Sequence, residues 1–480
     1  MAEMFIGGEP ARLDSLERRT IVDPATGEPV DTVPVGGAEE VDRAVVNAHG
    51  AFEAWWDTSA GRRGEIVHHA ARHVASHADE LARLLTAEQG KPLRESRLEI
   101  HRCVLTLEHY AGMAKSLRGS YVPNLDRETH GMVIKRPLGV VAAIVPWNFP
   151  TTLLANKLAP ALVAGNTVVA KPADSTPLTT LRVAALLHEA GLPAGVFNVV
   201  TGRGRTVGEA LVTHPLVRKI GFTGSTEVGE RVMALAAKGA KRLTLELGGS
   251  DPMIVCDDAD LDAAASAASV GRFFNCGQAC LAVKRLYAFD AIADALIERL
   301  VGKARRLRLG PGTQEGVFLG PLHSEGQREE VEAQVRDGLD SGGELLTGGR
   351  RPDGLERGFF YEPTLVLEPA HDSRMATEEV FGPALPIWRV RDLDEAIERA
   401  NASIYGLGSS IWTRDLDSAT WAAERLQAGY TWVNSAQRIF DELPFGGWGA
   451  SGFGKEHGIE ALEHYMESKS VVVRRNRREG

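Results

Sequence analysis

Apolar and polar positions follow two periods along this chain, and the change of period divides it. From Gly37 to about Gly90, alanine and valine recur at spacings of three and four with arginine or glutamate between them, a helical pattern, and a third helix is expected over residues 93–114. The preceding residues 1–36 read as short strands and turns, with Asp23-Pro24-Ala25-Thr26-Gly27-Glu28-Pro29 as turn chemistry. Residues 120–133 alternate like short strands. From Val140 the apolar runs become continuous: strands are expected at 140–145, 167–170 and 196–200, with helices at 153–163 and 178–190 between them. That alternation implies a parallel sheet with right-handed crossovers. A second α/β unit begins at Asp251, with helices at 261–274, 292–305 and 327–341 and a strand at 285–288; Gly310-Pro311-Gly312 and Gly320-Pro321 interrupt it. Residues 465–473 alternate like an edge strand. No internal repeat or low-complexity tract is present, and Trp55-Trp56 reads as packing.

Composition limits the possible functions. At 480 residues the chain exceeds one hydrophobic core, so two or three domains of about 100–200 residues are expected. It is 44% hydrophobic and 25% charged, ordinary for a globular protein. A net charge of −10 argues against a general binder of nucleic acid or anionic membrane. The one basic run, Arg474-Arg475-Asn476-Arg477-Arg478, reads as a solvated tail. Four cysteines give no disulfide framework, which fits a reducing compartment. No signal peptide and no run of about 18 apolar residues is seen, so no membrane span is expected and the cytoplasm is the default location.

Eight short segments carry potential chemistry, and each taken alone has a plain structural alternative. Phe273-Phe274-Asn275-Cys276-Gly277-Gln278-Ala279-Cys280 places a thiol after a glycine and two amides; Cys280 there is a candidate nucleophile or simply a small buried residue. Pro146-Trp147-Asn148-Phe149-Pro150 follows the first buried strand, where α/β sheets bind ligands; Asn148 can donate to an oxyanion, or the segment is a proline-held turn. Lys171-Pro172-Ala173-Asp174-Ser175-Thr176-Pro177 ends the next strand, and its lysine and carboxylate suit ribose hydroxyls or form a surface ion pair. Gly202-Arg203-Gly204 with Gly208 resembles a dinucleotide fingerprint but lacks the G-x-G-x-x-G spacing. Gly221-Phe222-Thr223-Gly224-Ser225-Thr226-Glu227-Val228-Gly229 feeds a helix whose N-terminal amides suit a phosphate, or is a plain cap. In Leu245-Glu246-Leu247-Gly248-Gly249, partial burial of Glu246 would raise its pKa toward that of a usable base. Glu378-Glu379-Val380-Phe381-Gly382-Pro383 and Pro444-Phe445-Gly446-Gly447 complete the set.

Taken together, in this order and spacing, these segments resemble the NAD(P)-dependent aldehyde dehydrogenase superfamily of the hydrolytic, non-phosphorylating type, from about Asp23 to Ser468. The resemblance implies an α/β fold: a Rossmann-like cofactor domain (1–117 and 138–247), a catalytic α/β domain (248–450) and a small β oligomerisation arm (118–137 and 451–480). It implies that Cys280 attacks the aldehyde, that Asn148 and the Cys280 N–H hold the oxyanion, that Glu246 activates water, and that Lys157 and Glu456 relay protons. It matches Lys171 and Asp174 to the adenosine ribose, Trp147 and Ser225 to the pyrophosphate, and Glu379 and Phe381 to the nicotinamide ribose. Val145, Pro146, Ala173, Gly204, Gly208 and Phe222 fall at the cofactor by the same match, as do Gly224, Val228, Glu246, Leu247 and Gly248. No metal is implied. A homodimer or homotetramer is.

Three departures from the family pattern bear on cofactor and substrate. Asp174 stands where glutamate is common and where many NADP-using relatives have a small or neutral residue, so NAD is the expected cofactor, with NADP as the alternative. Asn156 and Phe274 stand where relatives acting on succinic semialdehyde carry arginines, and an unpaired buried anion is costly. Asn156 also replaces a tryptophan common in enzymes for cationic aminoaldehydes. Gln437, Arg438 and Ile439 fall in the loop that lines the substrate mouth, where Arg438 offers another anion contact. The expected substrate is a neutral aliphatic or hydroxylated aldehyde; the alternatives are succinate semialdehyde, a coenzyme A-acylating reaction, a catalytically silent structural descendant and a cysteine hydrolase. Cys276, four residues before Cys280, is either inert or the partner of a reversible disulfide.

Overall fold

A computed structural model of the chain describes residues 1–435 and 437–475. Its first sheet holds five parallel strands in the order Phe197–Val199, Thr167–Lys171, Val140–Ile144, Val217–Thr223, Arg242–Glu246. The antiparallel hairpin Met4–Ile6 and Glu9–Ala11 extends one edge, and Gly452–Phe453 extends the other. The order reverses between Val140–Ile144 and Val217–Thr223, the switch point where open α/β sheets bind ligands. Every residue of Val140–Ile144 is buried because helices cover both faces. The strand's period of two divides it: Val141 and Ala143 join the core under the helices Ala60–Ser76, Leu93–Met113 and Pro150–Ala164, whereas Val140, Ala142 and Ile144 pack with Val41, Ala44 and Val45 of the helix Ala38–Asp57. Burial of each valine or isoleucine here contributes about 1.5–3 kcal/mol.

The second sheet runs Glu344–Thr347, Thr364–Leu367, Ala384–Val390, Val283–Phe289, Asp251–Val255, Gly408–Trp412, Tyr430–Val433; only its first pair is antiparallel. A three-stranded antiparallel sheet stands apart: Met466–Arg474 pairs with Thr129–Pro137, which pairs with Ser120–Val122. The alternating C-terminal stretch is thus an edge strand, as expected. Arg474 ends it beside Glu128, at 3.2 Å, and the rest of the basic run from residue 476 lies outside the described residues. One count is corrected. Residues 37–90 hold three helices (Ala38–Asp57, Ala60–Ser76, Ala78–Gln89), so Leu93–Met113 is the fourth. The breaks at Thr58-Ser59 and His77 are only one or two residues long and carry no Gly or Pro. Trp55 is buried and donates to the Leu162 carbonyl at 3.1 Å, a packing role. No helix among the described residues is long and apolar enough to cross a membrane.

Candidate active site

The helix Leu261–Phe273 delivers the nucleophile loop. Asp260 caps its start, accepting from the N–H groups of Asp262 and Ala263 at 3.1 and 3.0 Å. Beyond its end, Asn275, Cys276 and Gly277 adopt φ of 49°, 55° and 73°, three left-handed residues in succession. That conformation costs an L-residue roughly 1–2 kcal/mol and persists only where the surroundings enforce it. Here the enforcement is a set of buried polar contacts. The Glu95 carboxyl accepts from the Asn275 N–H at 2.8 Å, and the Asn275 amide donates to the Asn148 carbonyl at 3.0 Å. The fully buried Arg272 guanidinium donates to the carbonyls of Gly277 (2.5 Å), Val380 and Val283. The Gln278 side chain accepts from the His323 N–H at 2.8 Å. A Cβ on Gly277 would lie 2.2 Å from the Gly382 carbonyl oxygen. Gly277→Ala is therefore expected to destabilise the fold by about 2–4 kcal/mol; a parental thermal midpoint would contradict this.

Cys280 closes the loop with its side chain partly exposed. Burial pushes its thiol up to about 12; the Lys284 charge opposes this, and those of Glu379, Asp251 and Glu246 add to it. The resting group is the thiol rather than the thiolate. All four cysteines are free, and Cys276 is fully buried with its pKa raised by desolvation, so the structure contains no Cys276–Cys280 disulfide.

Asn148 reaches this loop from the end of the Val140–Ile144 strand. Its Nδ2 donates to the Gln278 carbonyl at 3.1 Å, which leaves its second amide hydrogen available. Lys91 steadies the turn: its ammonium donates to the Asn148 carbonyl and to Glu99, both at 2.5 Å, and lies 4.0 Å from the Phe149 ring centre. Glu99 also accepts from the Thr151 N–H at 2.9 Å. Lys91, Glu95, Glu99, Arg272 and His323 were not singled out from the sequence. The one local hint was Glu95 and Glu99, four apart on a helix face that is otherwise buried.

Glu246 ends the strand Arg242–Glu246, fully buried, with neither carboxyl oxygen hydrogen-bonded. Its pKa is held well above the ordinary carboxylate range, first by burial and then by the charge of Glu456, while Lys157 and Lys455 oppose. This is deeper burial than the sequence suggested. Beyond it, Lys157 donates to Glu456 at 2.5 Å and to Thr223 at 2.6 Å. The Lys157 stem crosses the strand at Gly221, where a Cβ would approach it to 3.2 Å. Glu246 and Cys280 meet through the glycine pair, since a Cβ on Gly249 would lie 2.8 Å from the Cys280 carbonyl oxygen.

The expected cofactor residues line the carboxyl ends of the same strands. Lys171 pairs with Asp174 at 2.8 Å, and Arg19 approaches the other Asp174 oxygen at 3.7 Å. The Val145 N–H donates to the Lys171 carbonyl at 3.1 Å, and the Ala173 carbonyl accepts from Thr176. The turn Gly204–Gly208 abuts the Lys171 stem, 3.8 Å from a Cβ on Gly208. Ser225 caps the helix Thr226–Ala237, accepting from the Val228 N–H at 3.4 Å, and both residues are exposed. Gly224 folds onto the Phe222 ring, and Gly229 onto Leu247. Trp147, beside the partly exposed Pro146, stacks on His323 with ring centres 4.5 Å apart and meets the edge of Phe381. Burial pulls His323 down to about 4, so its neutral ring makes that stack. Glu379 accepts from the Gly249 N–H at 3.1 Å, and a Cβ on Gly248 would meet its other oxygen at 2.6 Å. An exposed helix N-terminus for phosphates, with polar pairs on either side for two riboses, fits a dinucleotide.

Asn156, which stands where some relatives carry an arginine, is buried beside Glu456. Its amide donates to Glu456 at 3.0 Å, supplying a donor that a buried carboxylate needs. Phe274 stacks nearly parallel on Phe149, centres 6.0 Å apart. Gln437 donates to the Leu281 carbonyl, and the exposed Arg438 guanidinium lies over Phe440 at 4.8 Å.

The aldehyde dehydrogenase family model matches residues 12–471. The phenylacetaldehyde dehydrogenase of Pseudomonas fluorescens is 42% identical, over 98% of this chain and 95% of that one. The NADP(+) succinate-semialdehyde dehydrogenase of Escherichia coli (strain K12) is 39% identical, over 98% and 97%. The crystal structure of an NAD-dependent aldehyde dehydrogenase from Sinorhizobium meliloti superimposes with a TM-score of 0.97 at 38% identity, over 100% and 96%. The chain belongs to the aldehyde dehydrogenase family.

Proposed function

We propose that the protein oxidises an aldehyde to the carboxylic acid with NAD, through a thiohemiacetal and then a thioester on Cys280 that water hydrolyses. The observation that carries this is Glu246: a buried carboxyl without a hydrogen-bond partner, near the thiol and beside a lysine–glutamate pair. Burial with raised pKa is what a general base near neutrality requires. As Cys280 adds to the aldehyde its S–H proton leaves to solvent water, and the free hydrogen of Asn148 Nδ2 and the Cys280 N–H stabilise the oxyanion. When bound, the dinucleotide supplies the two-electron oxidant; Lys171, Asp174, Trp147, Ser225, Glu379 and Phe381 would hold it. Glu246 then takes a proton from the water that attacks the thioester, and Lys157 and Glu456 carry that proton onward. A coenzyme A-acylating reaction would leave Glu246 without a task. NADH formation from an aldehyde in the absence of coenzyme A tests the proposal; strict dependence on coenzyme A would overturn it.

Asp174 supports NAD, because a carboxylate there repels a 2′-phosphate. Arg19 and Lys171 favour a second reading, NADP, since two cations flank that one acid. Asp174→Ala is expected to move the ratio of kcat/KM values about tenfold toward NADP; an unchanged ratio would remove Asp174 from cofactor choice. For the substrate, the stacked Phe149 and Phe274 support a neutral aldehyde, and Arg438 is the nearby cation for an anionic one. A panel of lactaldehyde, aromatic aldehydes, aminoaldehydes and succinic semialdehyde separates these. The domain division given above is part of the same proposal. Exposed Tyr121, Val122, Met132, Ile134 and Val472 on the three-stranded arm support pairing with further copies of the chain.

A further inference from the structure

We infer that Lys284 is a positioning residue that joins the nucleophile loop to the nicotinamide-ribose clamp and places its charge beside Cys280; this rests on the roles proposed above for Cys280 and Glu379. Lys284 is the second residue of the strand Val283–Phe289, and its side chain is 1% exposed. A turn closed by the Ala282 N–H on the Ala279 carbonyl brings its ammonium back to the Cys280 backbone. Its ammonium donates to the Cys280 carbonyl and to Glu379 Oε1, the latter at 2.7 Å. Glu379 Oε1 also accepts from the Gly249 N–H, so one cation fastens three segments: the nucleophile loop, the clamp and the turn that follows Glu246. With Oε1 occupied, Oε2 is the Glu379 oxygen left to accept from a ribose hydroxyl.

The charges around the thiol give Lys284 its second task. Glu379, Asp251 and Glu246 all disfavour a thiolate, and Lys284 is the cation that offsets them. Asp251, buried behind the loop and bonded to the Gly408 N–H at 3.0 Å, is offset by Lys284 and Arg285. The Phe381 ring centre, 5.8 Å from the ammonium, completes its surroundings. Removing the charge leaves the Cys280 proton held more tightly and frees Glu379 to swing.

The test uses the purified full-length enzyme with Lys284→Met, Lys284→Gln and Lys284→Arg. Iodoacetamide labelling of Cys280 without cofactor, followed against pH by peptide mass spectrometry, is expected to shift upward by about one pH unit in both neutral variants. That is about a tenfold slower reaction at mildly alkaline pH. The KM for NAD is expected to rise about tenfold in the same variants, with Lys284→Arg recovering most of both losses. A labelling profile in either soluble neutral variant that matches the parent overturns the inference, as does a lowered thermal midpoint with neither change. Labelling of Cys280 in the parent that leaves NADH formation intact would overturn the Cys280 assignment itself.

Discussion

Replacing Cys280 by alanine is expected to cut NADH formation by at least about 10³-fold, for every aldehyde the enzyme accepts and with either dinucleotide. The expectation follows from geometry: Asn148 Nδ2 and the Glu246–Gly249 turn converge on the Cys280 loop. Cys276, the other thiol of that loop, is fully buried, and burial holds its proton firmly. Because no hydrogen bond from the Cys280 sulfur forms among the described residues, the alanine variant should fold and bind cofactor as the parent does. Steady-state NADH absorbance checks the rate and cofactor fluorescence titration checks the binding. Residual turnover within tenfold of the parent would place the nucleophile elsewhere.

Glu246→Gln separates the two halves of the reaction. The first half needs the thiol and the oxyanion donors, so a burst of NADH equal to the enzyme concentration should survive. The second half needs a proton acceptor for water, so steady-state turnover should fall by about 10²–10⁴-fold. Stopped-flow absorbance resolves both phases; full steady-state turnover would refute the base assignment. The pH dependence has a fixed sign. Glu246 works only when ionised, and burial, then the Glu456 charge, raises its pKa. Hydrolysis-limited turnover should therefore fall as the pH drops through that raised pKa. Glu246→Gln should remove this limb.

Strands buried on both faces were readable because their runs are continuous and end at turn residues, as Val140–Ile144 does before Pro146. The short strands of the second sheet, such as Thr364–Leu367 and Gly408–Trp412, gave no such signal; length and neighbours decide them. Lys171 and Asp174 were legible as a pair because they lie three residues apart. Lys91 and Asn148, or Arg272 and Val380, were not, because each partner arrives from a distant segment. The Asn156–Glu456 contact was hidden for the same reason, since the two residues lie 300 apart in sequence. The left-handed run before Cys280 has Asn275 and Gly277 as local marks, but Cys276 between them has no such propensity, and buried bonds to Glu95 and Arg272 hold the run there.

The most direct measurement is the intact mass of Glu246→Gln after mixing with an aldehyde and NAD, followed by peptide mapping. A thioester on Cys280 predicts a mass increase equal to the aldehyde less the hydrogens lost on oxidation, carried by the peptide that contains Cys280. No adduct, or an adduct on any other residue, would contradict the account.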